Sequence, residues 1–264
     1  MLLQSLEVET ICRSARCPNL GECYASGTAT FLVLGNTCTR SCAFCGVTPG
    51  EPAPPRNDEP QRVASATRRM GLRYVVVTSV TRDDLEDGGA SHFARTVEAI
   101  RAQTPGCAVE LLVPDFRGSR ESLKEVLRAA PDVLGHNVET VERLHPGTRP
   151  GADYRRSLEL LETARMRRAG LVTKSALMLG LGETTSEVEQ ALAHLAAVGC
   201  RVVCLGQYLR PSRRNTPVTR YVPPAEFDRL REVALGLGFQ QVRAGPLVRS
   251  SYLAAETYRE IVGR

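Results

Sequence analysis

The chain has no tryptophan, and aromatic residues make up only 5% of its 264 positions. With so few rings, and with arginine scattered rather than gathered into a stripe, it lacks the stacking platforms and basic track of a nucleic-acid surface. The net charge of +5 leaves room instead for an acidic protein partner. No apolar run is long enough to cross a bilayer. The opening segment, Met-Leu-Leu-Gln-Ser-Leu-Glu, lacks the basic flank and cleavage site of a leader. These absences predict a soluble, cytoplasmic protein with neither membrane nor nucleic acid as partner. Marks of disorder are missing too, since 42% hydrophobic content over this length suffices for one large domain with a sizeable core.

Cysteine, by contrast, is abundant. Six of the nine cysteines fall between residues 12 and 45, a clustering that favours metal over a disulfide framework, which would spread along the chain. Cys38, Cys42 and Cys45 are spaced C-x3-C-x2-C, and a fourth cysteine is missing. Thiolates are the usual ligands of iron-sulfur clusters. If the centre has four irons, three thiolates leave one iron open, and an open position separates a catalytic site from a closed structural one.

A buried helical stripe would also place cysteines at i, i+4 and i+7. Against it stand Gly35 and Asn36 before the run, Gly46, Pro49 and Gly50 after it, and small or polar residues within it, all signs of a loop. Zinc remains a competitor, although it normally takes paired C-x2-C knuckles and four ligands. A second incomplete set, Cys12, Cys17 and Cys23, is spaced C-x4-C-x5-C around Arg16, Pro18, Asn19 and Gly21. Two adjacent triads are much harder to explain as chance core thiols than one. Cys107, Cys200 and Cys204 lie outside both and read as ordinary buried thiols.

The rest of the chain alternates strand with helix. Strands are predicted at 31–34, 74–80, 109–113, 133–138, 172–179, 202–209 and 240–243. Helices are predicted from a cap at Asp58 to Met70, with Gly71 as stop, and at 92–103, 120–129, 154–168, 185–198 and 227–237. Such alternation implies parallel strands with covering helices. About six units fit, short of the eight in a closed barrel, so the fold class is α/β, a partial (β/α)6-type TIM barrel with its site at the strands' C-terminal ends. Polar residues assigned to those ends are Thr78, Ser79, Arg82, Asp83, Asp84, Asp115, His136, Asn137, Glu139, Lys174 and Gln207. The Gly180-Leu181-Gly182-Glu183 turn lets backbone approach a ligand, although G-x-G-E is a weak motif.

With both triads and the tail Arg249-Ser250-Ser251-Tyr252 in view, the chain resembles the lipoyl synthase family of radical S-adenosylmethionine enzymes. The C-x3-C-x2-C motif with Phe44 before its last cysteine is similar to the signature of the whole superfamily. The first triad with Arg16-Cys17-Pro18-Asn19, the Asp83-Asp84-Leu85 and Asp87-Gly88-Gly89 stretches, and His136-Asn137-Val138-Glu139-Thr140 resemble lipoyl synthase in particular. One departure is at the start, where relatives usually carry a longer segment and only eleven residues precede Cys12. Whatever that segment covers is expected to be exposed or absent.

The resemblance implies two 4Fe-4S clusters and S-adenosyl-L-methionine as cofactors. Cys38, Cys42 and Cys45 would hold the cluster that binds S-adenosylmethionine and yields a 5′-deoxyadenosyl radical. Cys12, Cys17, Cys23 and, as a labile fourth ligand, Ser251 would hold the sulfur-donating cluster. Phe44, Asn137, Glu139, Lys174, Glu183, Gln207 and Arg249 would bind the cofactor's polar ends or the substrate peptide, with Arg249 orienting the serine. By the same resemblance, residues 1–30 form an auxiliary-cluster segment, 31–243 the partial barrel and 244–264 a tail carrying the serine ligand. The implied substrate is an octanoyl chain on a lysine of a lipoyl carrier protein, either glycine cleavage H protein or a 2-oxoacid dehydrogenase E2 lipoyl domain. A ferredoxin- or flavodoxin-type donor would supply electrons. Another sulfur-inserting radical enzyme, of the methylthio or biotin type, and a zinc-stabilised binding module are the alternatives.

Overall fold

A computed structural model of the chain describes Leu3, residues 6–14, Cys17 and residues 19–263, and of Arg13 and Ser14 the backbone only. The chain divides into two compact units. The first comprises Met1–Arg40, Val47–Leu134 and Leu253–Glu256, and the second Ser41–Gly46, Gly135–Tyr252 and Thr257–Arg264.

In the first unit a short β1 (Glu9–Thr10) runs antiparallel to β2 (Thr28–Val33), pairing Thr10 with Phe31. A small parallel pair, β3 (Thr37–Cys38) with β4 (Thr48–Pro49), follows. Then β2, β5 (Tyr74–Ser79) and β6 (Ala108–Leu112) lie parallel, with Phe31 opposite Val77 and Val75 opposite Val109. Every residue of β2 is buried, as expected of a strand covered on both faces. The division between the units falls within β7 (Val133–Gly135).

The connections are helical because parallel neighbours require crossovers. Glu59–Arg69 buries Val63, Ala64, Ala66 and Thr67 on one face and ends in a Schellman turn. There Gly71, at φ 62, lets its own N–H reach the Arg68 carbonyl and that of Leu72 reach Thr67. Asp58 stands at the N-cap but its side chain makes no capping bond; it pairs with Arg62 at 2.7 Å instead. Ala90–Gln103 packs Phe93, Val97 and Ile100 into the core.

The second unit repeats the scheme with β8 (Val172–Leu179), β9 (Val202–Gln207) and β10 (Gln241–Gly245), all parallel, pairing Leu179 with Gln207 and Gly245 with Gly206. Its helices begin on sequence-encoded caps. Asp153 accepts the Arg156 N–H ahead of Tyr154–Arg167, and Thr184 and Glu187 form a capping box ahead of Thr185–Ala197. Pro224–Gly236 instead has proline in its first turn and no side-chain cap.

Parallel strands linked through helices make the mixed α/β architecture expected of a partial barrel. Three details differ from expectation. β2 starts at Thr28 rather than 31, because Thr-Ala-Thr is small enough to be buried although it carries no apolar run. β7 stops at Gly135, since His136 and Glu139 turn their backbone amides toward the Lys174 and Ala176 carbonyls of β8. The tail also contains a helix, Ala254–Val262, for which no element was predicted.

Candidate active site

The N-terminal triad lies within the first unit. All three thiols are free, with Cys12 and Cys23 buried and Cys17 half-buried. Burial first, and then the charge of the neighbouring Cys17, push the Cys12 thiol up, while hydrogen bonds from Thr30 on β2 oppose the shift. Burial likewise raises Cys23, and the charges of Cys12, Cys17 and Glu22 add to it, against a backbone N–H contributed by Leu253. Burial keeps the Cys12 and Cys23 thiols protonated unless a nearby positive charge compensates the thiolate. Arg16 and Pro18 of the same motif lie outside the described residues.

Cys38 also belongs to the first unit. Its sulfur accepts the Arg40 N–H at 3.4 Å and its carbonyl accepts Gly50 N–H at 2.9 Å. Sequence reasoning missed what fixes it. Arg40 makes two bonds to Asp83, at 2.7 and 2.9 Å, and a third to Asp115 at 2.7 Å, with side-chain exposures of 5% for Arg40 and 0% for Asp115. Thr39 adds bonds to the Thr81 carbonyl and the Asp83 N–H. The strand ends of β5 and β6 therefore hold the start of the cysteine loop. The only sequence signal was an arginine among the spacer residues of the motif. An open cleft of about 520 Å³ lies at the same ends, lined by Asp83, Leu85, Phe116 and Arg117.

The other family-like stretch here is structural. Asp87 caps Gly89 and Ser91 at the start of Ala90–Gln103, and a methyl group on Gly89 would strike the Leu34 side chain. Arg82, almost wholly buried, ties Asp84 to the Leu34 carbonyl.

Cys42 and Cys45 belong to the second unit, joined by a turn in which Cys45 N–H donates to the Cys42 carbonyl at 3.0 Å. Phe44 within that turn is half-buried. The Ala43 N–H donates to the Thr148 carbonyl at 2.9 Å, and the Asn215 side-chain amide donates to the carbonyl of Cys45 at 2.7 Å.

In the same unit, Asn137 and Glu139 form a polar cluster level with the second half of β8. The Asn137 amide donates to Glu139 at 3.0 Å, and Arg149 donates to the Asn137 carbonyl at 2.9 Å. The Glu139 backbone bridges to Leu177 with φ 67, a conformation a side-chain-bearing residue adopts at a cost. Glu139 keeps some exposed surface but is set deep among protein atoms. Burial pushes its carboxyl up, offset in part by Arg149 and Asn137. Among the described residues the Asn137 Oδ1 and Arg149 Nε atoms are buried with no hydrogen-bond partner. Such groups are costly unless a ligand completes them.

The remaining site residues occupy other positions. Glu183 is buried and both its oxygens accept backbone N–H groups, from Gly180 at 2.6 Å and Leu181 at 2.9 Å, so it shapes the glycine turn itself. Gln207 joins the Tyr208 and Arg220 carbonyls to the Val222 N–H and thereby fastens the loop after β9. Lys174 is only the third residue of β8, about 16 Å of strand from Leu179. It is not at the C-terminal strand end, and its charge acts on buried Cys200, whose thiol burial raises to about 12.

The tail packs on β8 and β9. Val248 and Tyr252 join Ala176 and Cys204 in one apolar cluster, and the Cys204 thiol donates to the Ser250 carbonyl. Arg249 donates to the Val248 carbonyl at 2.7 Å and reaches that of Gln207 at 3.5 Å. Ser251 follows in a half-buried turn. Gly206 admits this contact because it has no Cβ; a methyl there would collide with the Val248 carbonyl oxygen. Gly206→Ala should therefore destabilise the protein by about 1–3 kcal/mol, which urea denaturation would measure.

Parallel strands linked through helices, with a C-x3-C-x2-C loop after the second strand, agree with a family match: the profile of the Radical SAM superfamily covers residues 32–195. The chain is a member of that superfamily. Solved structures share its fold at low identity. SuiB from Streptococcus suis bound to its precursor peptide SuiA superposes with a TM-score of 0.64 at 9% identity, covering 92% of this chain and 51% of that one. Methylornithine synthase gives 0.57 at 13%, covering 92% and 80%.

Sequence relatives are much nearer. The chain is 55% identical over 260 residues to the lipoyl synthase of Nitratidesulfovibrio vulgaris strain Hildenborough, covering 98% of this chain and 87% of that protein. To that of Geobacter sulfurreducens it is 56% identical over 254 residues, covering 96% and 84%. It belongs to the lipoyl synthase family. Among the described residues no helix is long and apolar enough to cross a membrane.

Proposed function

We infer that the chain is a sulfurtransferase that inserts sulfur at C6 and C8 of an octanoyl chain, amide-linked to a lysine of a lipoyl carrier protein. Membership of the lipoyl synthase family, at more than half identity over nearly the whole chain, carries the reaction. Bound S-adenosyl-L-methionine and the two four-iron clusters supply the hydrogen abstraction and the sulfur, chemistry that no side chain can perform.

The chain's residues supply ligands and position. Cys38, Cys42 and Cys45 hold one cluster, and Cys12, Cys17 and Cys23 hold the other. The fit is supported by free thiols in both sets and by the buried setting of Cys12 and Cys23, each with another cysteine of the set among its charged neighbours. Among the described residues no three His, Cys, Asp or Glu side chains are grouped to hold a single ion.

Ser251 serves as the fourth ligand of the N-terminal cluster. Leu253, whose N–H reaches Cys23, follows it by two residues, so the chain limits their separation to about 7 Å. A serine oxygen holds iron less firmly than a thiolate does, which suits a cluster that must give up sulfur. Asn137 and Glu139, with an amide oxygen awaiting a partner and a buried carboxylate, suit the cationic end of S-adenosylmethionine. Phe44 and Arg249 flank the ligands from the cysteine turn and the tail, and Lys174 stands further off. Glu183 and Gln207 act by building the turns around the site. The donor is a ferredoxin- or flavodoxin-type protein, and the enzyme works in the cytoplasm.

Ser251→Ala tests the ligand assignment. The variant should keep 5′-deoxyadenosine formation and lose at least about tenfold of lipoyl formation by mass spectrometry. Unchanged lipoyl yield and cluster content would remove Ser251 from the site and favour another sulfur-inserting enzyme.

A further inference from the structure

The loop after β9 carries Arg210, Arg213 and Arg214, all exposed. It is fastened to the cysteine turn by Asn215, whose amide donates to the carbonyls of Cys45 at 2.7 Å and Ala43 at 3.2 Å, and by Thr216, whose N–H donates to Ala43 at 3.0 Å. The three arginines therefore sit within a few residues of two cluster ligands on one rigidly stapled edge. Arg210 spends its guanidinium on the Asn215 and Arg213 carbonyls, which stiffens the loop without cancelling charge. Among the described residues no carboxylate pairs with Arg210, Arg213 or Arg214. Arg143, Arg155 and Arg229 of the same unit are matched, with Glu187, Glu142 and Glu189, whereas among the described residues exposed Arg165 and Arg167 on the Tyr154–Arg167 helix are not. What distinguishes the loop arginines is their attachment to the cysteine turn.

The loop's flanks add apolar surface, with Leu209 42% exposed and Tyr221 72% exposed. Arginine beside an exposed tyrosine and leucine is the composition of a protein-docking surface rather than of an ion site. Unmatched positive charge steers an acidic partner to it.

We propose that residues 209–221 form the docking surface for an acidic, flavin-bearing electron-donor protein of the flavodoxin class. This rests on reading Cys38, Cys42 and Cys45 as the ligands of a redox cluster. One electron passes from the donor's reduced flavin to the oxidised cluster, and no bond or proton changes hands. An electron needs only close approach to the cluster, which the cysteine turn's outer edge provides. A carrier protein must instead thread an acyl chain toward the strand ends where Asn137 and Glu139 lie.

The test compares the anaerobically reconstituted enzyme with R213E/R214E, which leaves the loop-supporting Arg210 in place, and with R229E/R231E, which changes net charge equally elsewhere on the unit. Calorimetry measures oxidised flavodoxin binding against salt, and stopped-flow absorbance measures cluster reduction by reduced flavodoxin and by dithionite. R213E/R214E should bind flavodoxin at least about tenfold more weakly, with a flatter salt dependence. Its iron content and dithionite reduction should match the parent, and R229E/R231E should bind normally. The proposal is overturned if R213E/R214E binds as the parent does, or if R229E/R231E is weakened equally. It is also overturned if flavodoxin binding survives while the KM for an octanoylated carrier protein rises under dithionite, which would give the loop to the carrier. A parent enzyme that dithionite cannot reduce would instead remove the cluster reading beneath it.

Discussion

Cys42→Ala is expected to abolish 5′-deoxyadenosine formation while the chain stays folded. The turn that carries Cys42 is held by backbone bonds, from Cys45 to the Cys42 carbonyl and from Ala43 to the Thr148 carbonyl, and alanine keeps both. The thiol is only half-buried, so its loss should cost about 1 kcal/mol or less of stability. Its chemical loss is complete, because a cluster seated on three thiolates has no substitute ligand in that turn. Iron should fall from about eight to about four per chain as one four-iron cluster is lost. Cys12→Ala should do the converse, sparing 5′-deoxyadenosine and stopping sulfur insertion. A Cys42→Ala enzyme that still formed 5′-deoxyadenosine would show that the C-x3-C-x2-C loop is not the radical-generating site.

The largest effect on stability is expected at Arg40. Replacing it by methionine keeps much of the apolar stem but leaves Asp115, fully buried, and Asp83, 27% exposed, facing each other without a cation. Removing one member of a buried ionic group costs roughly 3–5 kcal/mol, more than the group contributes when intact, because the charges left behind remain desolvated. Chemical denaturation should show a loss of that order in Arg40→Met. Adding Asp83→Asn and Asp115→Asn should recover part of it, since the uncompensated charge is then gone. Cluster occupancy should not recover with stability, because the Arg40 side chain, through Asp83 and Asp115, also anchors the loop on which Cys38 sits. A single variant as stable as the parent would mean that the triad is not a buried unit.

Much of this was legible in the chain itself. β5 and β8 announce themselves as Tyr-Val-Val-Val-Thr-Ser and as an eight-residue run whose residues are nearly all buried. The capping residues Thr184 and Glu187 fix the start of a helix through bonds spanning three residues, and local signals of that kind survive without tertiary information. The reading fails where burial depends on distant partners. Thr-Ala-Thr at the start of β2 carries no apolar pattern, and the two-residue β1 exists only because β2 offers it an edge. Asp58 resembles a cap in sequence, but two arginines compete for its carboxylate.

The site shows the same division. Cysteine spacing singles out candidate ligands because cluster chemistry needs thiolates and few other atoms. Polar residues near strand ends are less certain, because a buried Glu or Gln can as readily satisfy backbone as ligand. Glu183 and Gln207 do so, and only coordinates distinguish them from Asn137, whose amide oxygen is left without a partner. Arg40 and the arginines after β9 escaped notice because a lone arginine in a motif, or three in a polar loop, carries no signal until its carboxylates are located.

Sulfur insertion by two clusters can be followed in a single assay. The protein, reconstituted anaerobically and assayed for iron and sulfide, is incubated with a peptide bearing octanoyl-lysine, S-adenosylmethionine and dithionite, and the peptide is followed by mass spectrometry. A lipoyl peptide should appear only when both S-adenosylmethionine and reductant are present, with two 5′-deoxyadenosines released per lipoyl group formed. An enzyme carrying both clusters that cleaves S-adenosylmethionine yet leaves the octanoyl peptide free of sulfur would contradict the account.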